Sequence, residues 1–114
     1  MHELGIVVHL IKMVEEVGEE NSLTSVSRVT LTLGEVSGVV PRYLTDCWRW
    51  AADKEDLLRG SELIVEEAPA TTVCNACGKT YPTVAHGKTC PHCGSDDTVL
   101  LTGDQVELTS IEAC

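Results

Sequence analysis

Four cysteines constrain this chain more than any other feature. They fall as Cys74-Asn-Ala-Cys77 and Cys90-Pro-His-Cys93, with twelve residues between the pairs, and each pair is followed by a glycine, Gly78 and Gly94. A CxxC turn sets two sulfurs on one side of a tight loop. The glycine lets the backbone turn so that its N–H groups can point at them. Two knuckles facing each other close a tetrahedral four-sulfur site, which suits Zn(II). Two disulfides are the alternative use of the same residues. Knuckles of this kind also hold iron, as in a rubredoxin-like electron carrier, and colour separates the two metals: red for iron, none for zinc. Four protein ligands leave zinc no open position for chemistry, so the site alone does not define a function.

The rest of the chain must build its core with few aromatics. Phe is absent and aromatic residues make up 4% of the 114, so the interior falls to Val, Leu, Ile and Ala. This length suits one domain, or one domain with a small inserted module that a metal clamp would help to hold together. The net charge is −10. From Thr72 to Gly103 two lysines offset two aspartates, so the whole excess lies outside the cysteine segment. Nucleic-acid binders need a basic face, which is missing here; an acidic chain attracts cations or a basic protein partner. No apolar run reaches transmembrane length, and Glu3 stands where a signal peptide would carry Lys or Arg. A cytoplasmic protein with no membrane association is expected. Thiols there stay reduced, which again favours metal over disulfide. Cys47 falls in an apolar stripe and reads as a core thiol, while Cys114 is the last residue, with nothing nearby to activate it.

Periodicity gives the frame. Leu4, Val7, Val8, Ile11 and Val14 recur at helical spacing, predicting a largely buried helix from Leu4 to about Val17, ended by Gly18 and the acids after it. Ser25 to Leu33 alternates as a half-exposed strand, with Val29, Leu31 and Leu33 on one face. Gly34–Gly38 reads as a glycine-bracketed loop. Pro41 opens a second helix to about Asp53, with Leu44, Cys47, Trp48 and Ala51 facing inward and Trp50 facing out. Glu62 to Glu67 and Val106 to Ile111 alternate as further strands. Ala68-Pro69-Ala70 and Gly103 mark the junctions on either side of the cysteines. The expected fold is α+β: two helices packed on a small mixed three-stranded sheet, with an inserted four-cysteine zinc-ribbon-like module. Residues 1–70 plus 104–114 would form the first domain and 71–103 the insertion.

The start, Met1-His2-Glu3, is a second feature. A free amine followed by His at position two can form fused chelate rings. The amine and the deprotonated His2 amide close a five-membered ring, and that amide with the imidazole Nδ1 closes a six-membered one. Planar nitrogen donors of this kind suit Ni(II) or Cu(II). Glu3 can add its amide nitrogen or lie nearby as a carboxylate. The competing reading is a plain helix start, with Glu3 placed favourably for the helix dipole.

Met1-His2-Glu3-Leu4, the Leu33-Gly34-Glu35-Val36-Ser37-Gly38-Val39 segment, the two knuckles, and the closing Gly103-Asp104-Gln105-Val106-Glu107-Leu108 run with Ile111-Glu112 occur together and in order. This combination closely resembles the HypA/HybF family of hydrogenase nickel-incorporation proteins, from end to end of the chain. The resemblance implies a metallochaperone, not an enzyme, that delivers Ni(II) for maturation of nickel–iron hydrogenase. It places nickel on His2, with the Met1 amine and Glu3 beside it, and structural Zn(II) on Cys74, Cys77, Cys90 and Cys93. It implies the GTPase HypB as partner and the hydrogenase large subunit as recipient; some members also serve urease. Cys114 is not part of the family pattern. His9, inside the first helix, reads as structural. His86 and His92, near the knuckles, read as exposed loop residues, with a secondary role in tuning the zinc site as the sharper alternative. The competing function is a zinc-ribbon interaction module without metal cargo, and it parts from the chaperone at the N-terminus.

Overall fold

The computed structural model describes residues 3–114. Its elements run α1 (Glu3–Glu20), β1 (Val26–Gly34), α2 (Pro41–Ala52), β2 (Glu62–Ala68), β3 (Thr71–Cys74), β4 (Thr80–Pro82), α3 (Thr83–His86), β5 (Thr98–Thr102) and β6 (Val106–Ala113). The strands form two three-stranded sheets, in order β2-β1-β6 and β4-β3-β5. Two compact units divide the chain. One holds the described residues up to Thr32, Val39–Glu66 and Glu107–Cys114; the other holds Leu33–Gly38 and Glu67–Val106.

In the first unit most of the periodic residues become the core, but Leu4 and Val8 of the expected α1 stripe are exposed, so α1 buries one face rather than most of its surface. Val7, Leu10, Ile11 and Val14 of α1, Val26, Val29 and Leu31 of β1, and Leu44, Trp48 and Ala52 of α2 are all buried. The two helices pack together. β1 is the central strand. Its partners on β6 descend as β1 rises: Ser27 Oγ donates to the Glu112 carbonyl and the Thr32 hydroxyl meets that of Thr109, so the pair is antiparallel. β2 returns through the α2 crossover, and its partners rise with β1, Arg28 with Glu62 and Glu35 with Ala68, so that pair is parallel and the sheet is mixed. The expected α+β fold is thus observed.

Local chemistry moved some boundaries. α1 was expected to stop near Val17 but runs through Gly18 to Glu20. Gly18 is a packing residue: a Cβ there would press on Leu57. The left-handed residue that ends the helix is Ser22, at φ 54°. Leu23 N–H donates to the Gly18 carbonyl and Ser22 N–H to that of Glu19, the paired bonds of a Schellman cap. Of the α1 acids, Glu15 is half-buried, and burial, then the Glu55 charge, push its carboxyl above the ordinary carboxylate range. In α2 the buried stripe is Leu44, Trp48 and Ala52, a strict four-residue repeat. Cys47 and Ala51 sit beside it and are half-buried, so Cys47 is not the core thiol expected. Trp48 faces inward and donates its indole N–H to Ser61 at 3.1 Å. Trp50 is exposed, as its position off the stripe implies, with the Lys54 ammonium over its ring.

The loop read only as glycine-bracketed is the staple of the second unit. Gly34 N–H donates to the Gln105 carbonyl, Glu35 N–H to Ala68 and Val36 N–H to Gly103. The Glu35 carboxylate takes the Ala70 N–H at 2.9 Å. Four hydrogen bonds thus tie one short segment to both chain junctions. The approach is close enough that a Cβ at Gly34 would run into the Gly103 carbonyl and the Asp104 nitrogen. Backbone cannot step aside as a flexible side chain can. Gly34→Ala is therefore expected to lose about 3 kcal/mol, the upper end of ordinary overpacking costs. Gly5→Ala, whose Cβ would meet nothing within 4 Å inside α1, should be neutral or stabilising. Urea denaturation of the two variants checks the contrast.

Candidate metal centre

The second unit is built around its sulfurs. β3 pairs antiparallel with β4 and with β5, and ends on Cys74. From there the two knuckles repeat one backbone pattern. Cys74 N–H donates to the Lys79 carbonyl at 2.9 Å, and Gly78 N–H returns to the Cys74 carbonyl at 2.8 Å. Cys90 N–H donates to Ser95 at 2.9 Å, and Gly94 N–H returns to Cys90 at 2.9 Å. Gly78 and Gly94 take φ values of 76° and 79°, the left-handed region that closes each turn and that a Cβ disfavours.

These turns bring the four sulfurs within 4.8 Å of one another. Cys74 and Cys93 sulfurs lie 3.6 Å apart, and those of Cys77 and Cys90 3.7 Å. A tetrahedral site with metal–sulfur bonds of about 2.3 Å has sulfur–sulfur edges of about 3.8 Å, so the set fits zinc. All four thiols are free, which does not match the two-disulfide alternative. Cys74 and Cys90 are buried, while Cys77 and Cys93 face out.

Two of the thiols, Cys90 and Cys93, are shifted in opposite directions. Burial pushes the Cys90 thiol up, but the N–H groups of Cys93 and His92 and the sulfurs of Cys77 and Cys93 outweigh it and bring it down to about 7. Cys93 goes the other way. The Ser95 N–H lowers it, but the Cys74 sulfur, burial and the other two sulfurs push it up to about 12. Four neighbouring sulfurs gathered in this way form a donor set that a divalent cation would complete.

Around the sulfurs lie residues that motif reading did not single out. Tyr81 is buried with Cys74 and Cys90 as this unit's small core, and its hydroxyl donates to the Gly87 carbonyl at 2.9 Å. Asn75 holds Asp97 through its side chain and its N–H, bracing the first knuckle against the chain leaving the second. The β-branched run Thr71-Thr72-Val73 into the first knuckle was the one, short signal for β3. His86 and His92 are exposed, as the plainer reading expected. The His86 ring stands edge-on to Tyr81, and His92 contributes its backbone N–H to the Cys90 sulfur at 3.4 Å. Neither imidazole joins the metal-ligating group; among the described residues that group is the four cysteines. His9 is exposed on α1. Met1 and His2, the expected nickel ligands, lie outside the described residues. Glu3 opens α1, and its carboxylate accepts the Val40 N–H at 3.3 Å, linking the first turn of α1 to the residue before α2.

A family model described as hydrogenase/urease nickel incorporation, metallochaperone, hypA matches residues 1–113. The chain belongs to the HypA family. Relatives named hydrogenase maturation factor HypA share 35% identity in Chlorobium phaeobacteroides, over 97% of each chain, and 30% in Geobacter metallireducens, over 98% of each. The fold is similar to the solution structure of the Ni metallochaperone HypA from Helicobacter pylori. The TM-score is 0.75 at 22% identity, covering 99% of this chain and 97% of that one. The HypA family is one of nickel-incorporation metallochaperones acting in hydrogenase maturation. Among the described residues, no helix is long and apolar enough to cross a membrane.

Proposed function

We propose that this HypA-family protein carries one Ni(II) on His2, with the Met1 amine and Glu3 beside it, and delivers it in the cytoplasm to the large subunit of nickel–iron hydrogenase. HypB, a GTPase, is the proposed partner in delivery. The family description also names urease, whose maturation proteins are a second recipient suited to the same cargo. Residues 1–70 with 104–114 form the nickel-binding part, and zinc on Cys74, Cys77, Cys90 and Cys93 organises residues 71–103.

The observation that carries this reading is the family match, which runs through the Met-His-Glu start. The chemistry of the start supports it. Amine, amide and imidazole nitrogens together form a planar donor set suited to Ni(II). A site at the chain end stays open to a partner's ligands, which is what a carrier needs in order to release its cargo. Glu3, the third residue of the motif, opens α1 and accepts the Val40 N–H.

Nickel titration of untagged, zinc-loaded protein tests the proposal. One Ni(II) per chain is expected near pH 7.5. The amine, amide and imidazole must each be free of the proton that nickel replaces, and a free imidazole gains its proton near pH 6.5. Affinity should therefore fall at least about tenfold by pH 6. A four-residue Gly-Ser extension before Met1 should abolish tight binding. A one-residue extension is unsuitable, since it moves the His to position three and creates a different chelate. Unchanged affinity in the four-residue extension would overturn the N-terminal site.

A further inference from the structure

β5 is an edge strand of a kind that proteins normally guard. In the sheet order β4-β3-β5 it pairs with β3 alone. The opposite edge, β4, is three residues long and ends in Pro82, which cannot donate to another strand. β5 has five residues, Thr98-Val-Leu-Leu-Thr102, with no charge, proline or glycine. Val99 and Leu101 project on one face and are 52% and 57% exposed. A chain with net charge −10 thus leaves one apolar, uncharged strand edge open to solvent.

The other face of the same strand adjoins a cavity of about 240 Å³ within this unit, lined by Val36, Thr72, Thr83, Lys88, Thr98 and Leu100. Its hydroxyls are already engaged. Those of Thr72 and Thr83 bond each other at 2.7 Å, and that of Thr98 donates to the Lys88 carbonyl at 2.8 Å. The cavity therefore offers mostly apolar surface. An open edge beside such a cavity suits strand addition, in which main-chain bonds supply affinity and the cavity selects a side chain.

Charge decides the occupant. The uncharged strip is bracketed by Asp96 and Asp97 before it and Asp104 after it. A second copy pairing antiparallel about Leu100 would set Asp96 against Asp104 of the other chain, a destabilising like-charge pair. We propose that β5 is a docking edge for an extended segment of a partner protein, apolar at alternate positions and basic at both ends, which adds as a fourth strand and seats one side chain in the cavity. This proposal does not rest on nickel binding at His2.

The test uses isotope-labelled, zinc-loaded full-length protein and the capped peptide Lys-Thr-Val-Thr-Val-Thr-Lys. The amide signals of residues 98–102 should shift on titration. A peptide with Glu at both ends should bind at least tenfold more weakly. Leu101→Lys, at an exposed position, should weaken the lysine-ended peptide at least tenfold while zinc content stays at one per chain. Three outcomes overturn the proposal: no binding at millimolar peptide, shifts confined to other elements, or protection of residues 98–102 that rises with protein concentration and resists the peptide. The last would make the occupant a second copy.

Discussion

Cys90→Ser is expected to release zinc and melt the unit around the four cysteines while leaving α1 and α2 folded. A buried cluster of that unit is Cys74, Tyr81 and Cys90, and two of its three members belong to the four-sulfur group. β3 and β4 pair over only three residues. Such a unit cannot offset the entropy of ordering its loops through apolar burial. A structural zinc site contributes about 10–16 kcal/mol of binding free energy, available only once the ligands are gathered, and that is the term able to hold the unit. Serine keeps the size of the side chain but is a poor zinc ligand, and three sulfurs leave the tetrahedron open. Elemental analysis should fall from one zinc per chain to none. Amide exchange should lose protection at Thr71–Cys74 and keep it in the middle of α1. Cys47→Ser, half-buried and outside the cluster, is the control and should retain zinc. Retained protection at Thr71–Cys74 in the zinc-free variant would show that the unit folds without its metal.

The sequence made the periodic elements legible and left the non-local ones hidden. α1, β1 and α2 each bury a face long enough to impose a period, and β2 and β6 alternate in residue type although they are mostly exposed, so their positions could be read directly. Trp48 and Trp50 show the reach of that logic: two residues apart on α2, one is buried and one exposed, as helical geometry requires. The end of α1 escaped because Gly18 looks like a helix stop, whereas the left-handed position that stops the helix is Ser22. β3 and β4 escaped because four- and three-residue strands carry too little pattern, and their pairing is set by the knuckles they flank. The bond from Ala70 to Glu35 spans 35 residues, a pairing no local pattern reveals. The gathering of the four sulfurs was legible, since residue type, spacing and glycines are all local. At the N-terminus the residues gave only a chelate that could form, and it was the family resemblance that ranked nickel above a plain helix start.

His2→Ala is expected to abolish tight Ni(II) binding while zinc stays at one per chain. The proposed site has little beyond the chain end to draw on: an amine, one backbone amide and one imidazole. Alanine removes the imidazole and with it the six-membered ring, leaving a single five-membered ring. An amide gives up its proton to a metal more readily when donors on both sides hold the metal against it, so losing the imidazole weakens the amide bond as well. Two of three nitrogen contacts are therefore compromised by one substitution, and affinity should fall by at least about a hundredfold, or roughly 2.7 kcal/mol. His9, His86 and His92 remain in the variant. All three are exposed and none joins a metal-ligating group among the described residues. Nickel that still bound at one per chain would have to sit on one of them or displace zinc from the cysteines. Zinc analysis before and after nickel loading separates those cases. If nickel binds with undiminished affinity and zinc stays in place, the N-terminal chelate is wrong. If zinc instead leaves as nickel enters, the cysteines are the nickel site, and their role in folding the second unit is coupled to the cargo itself.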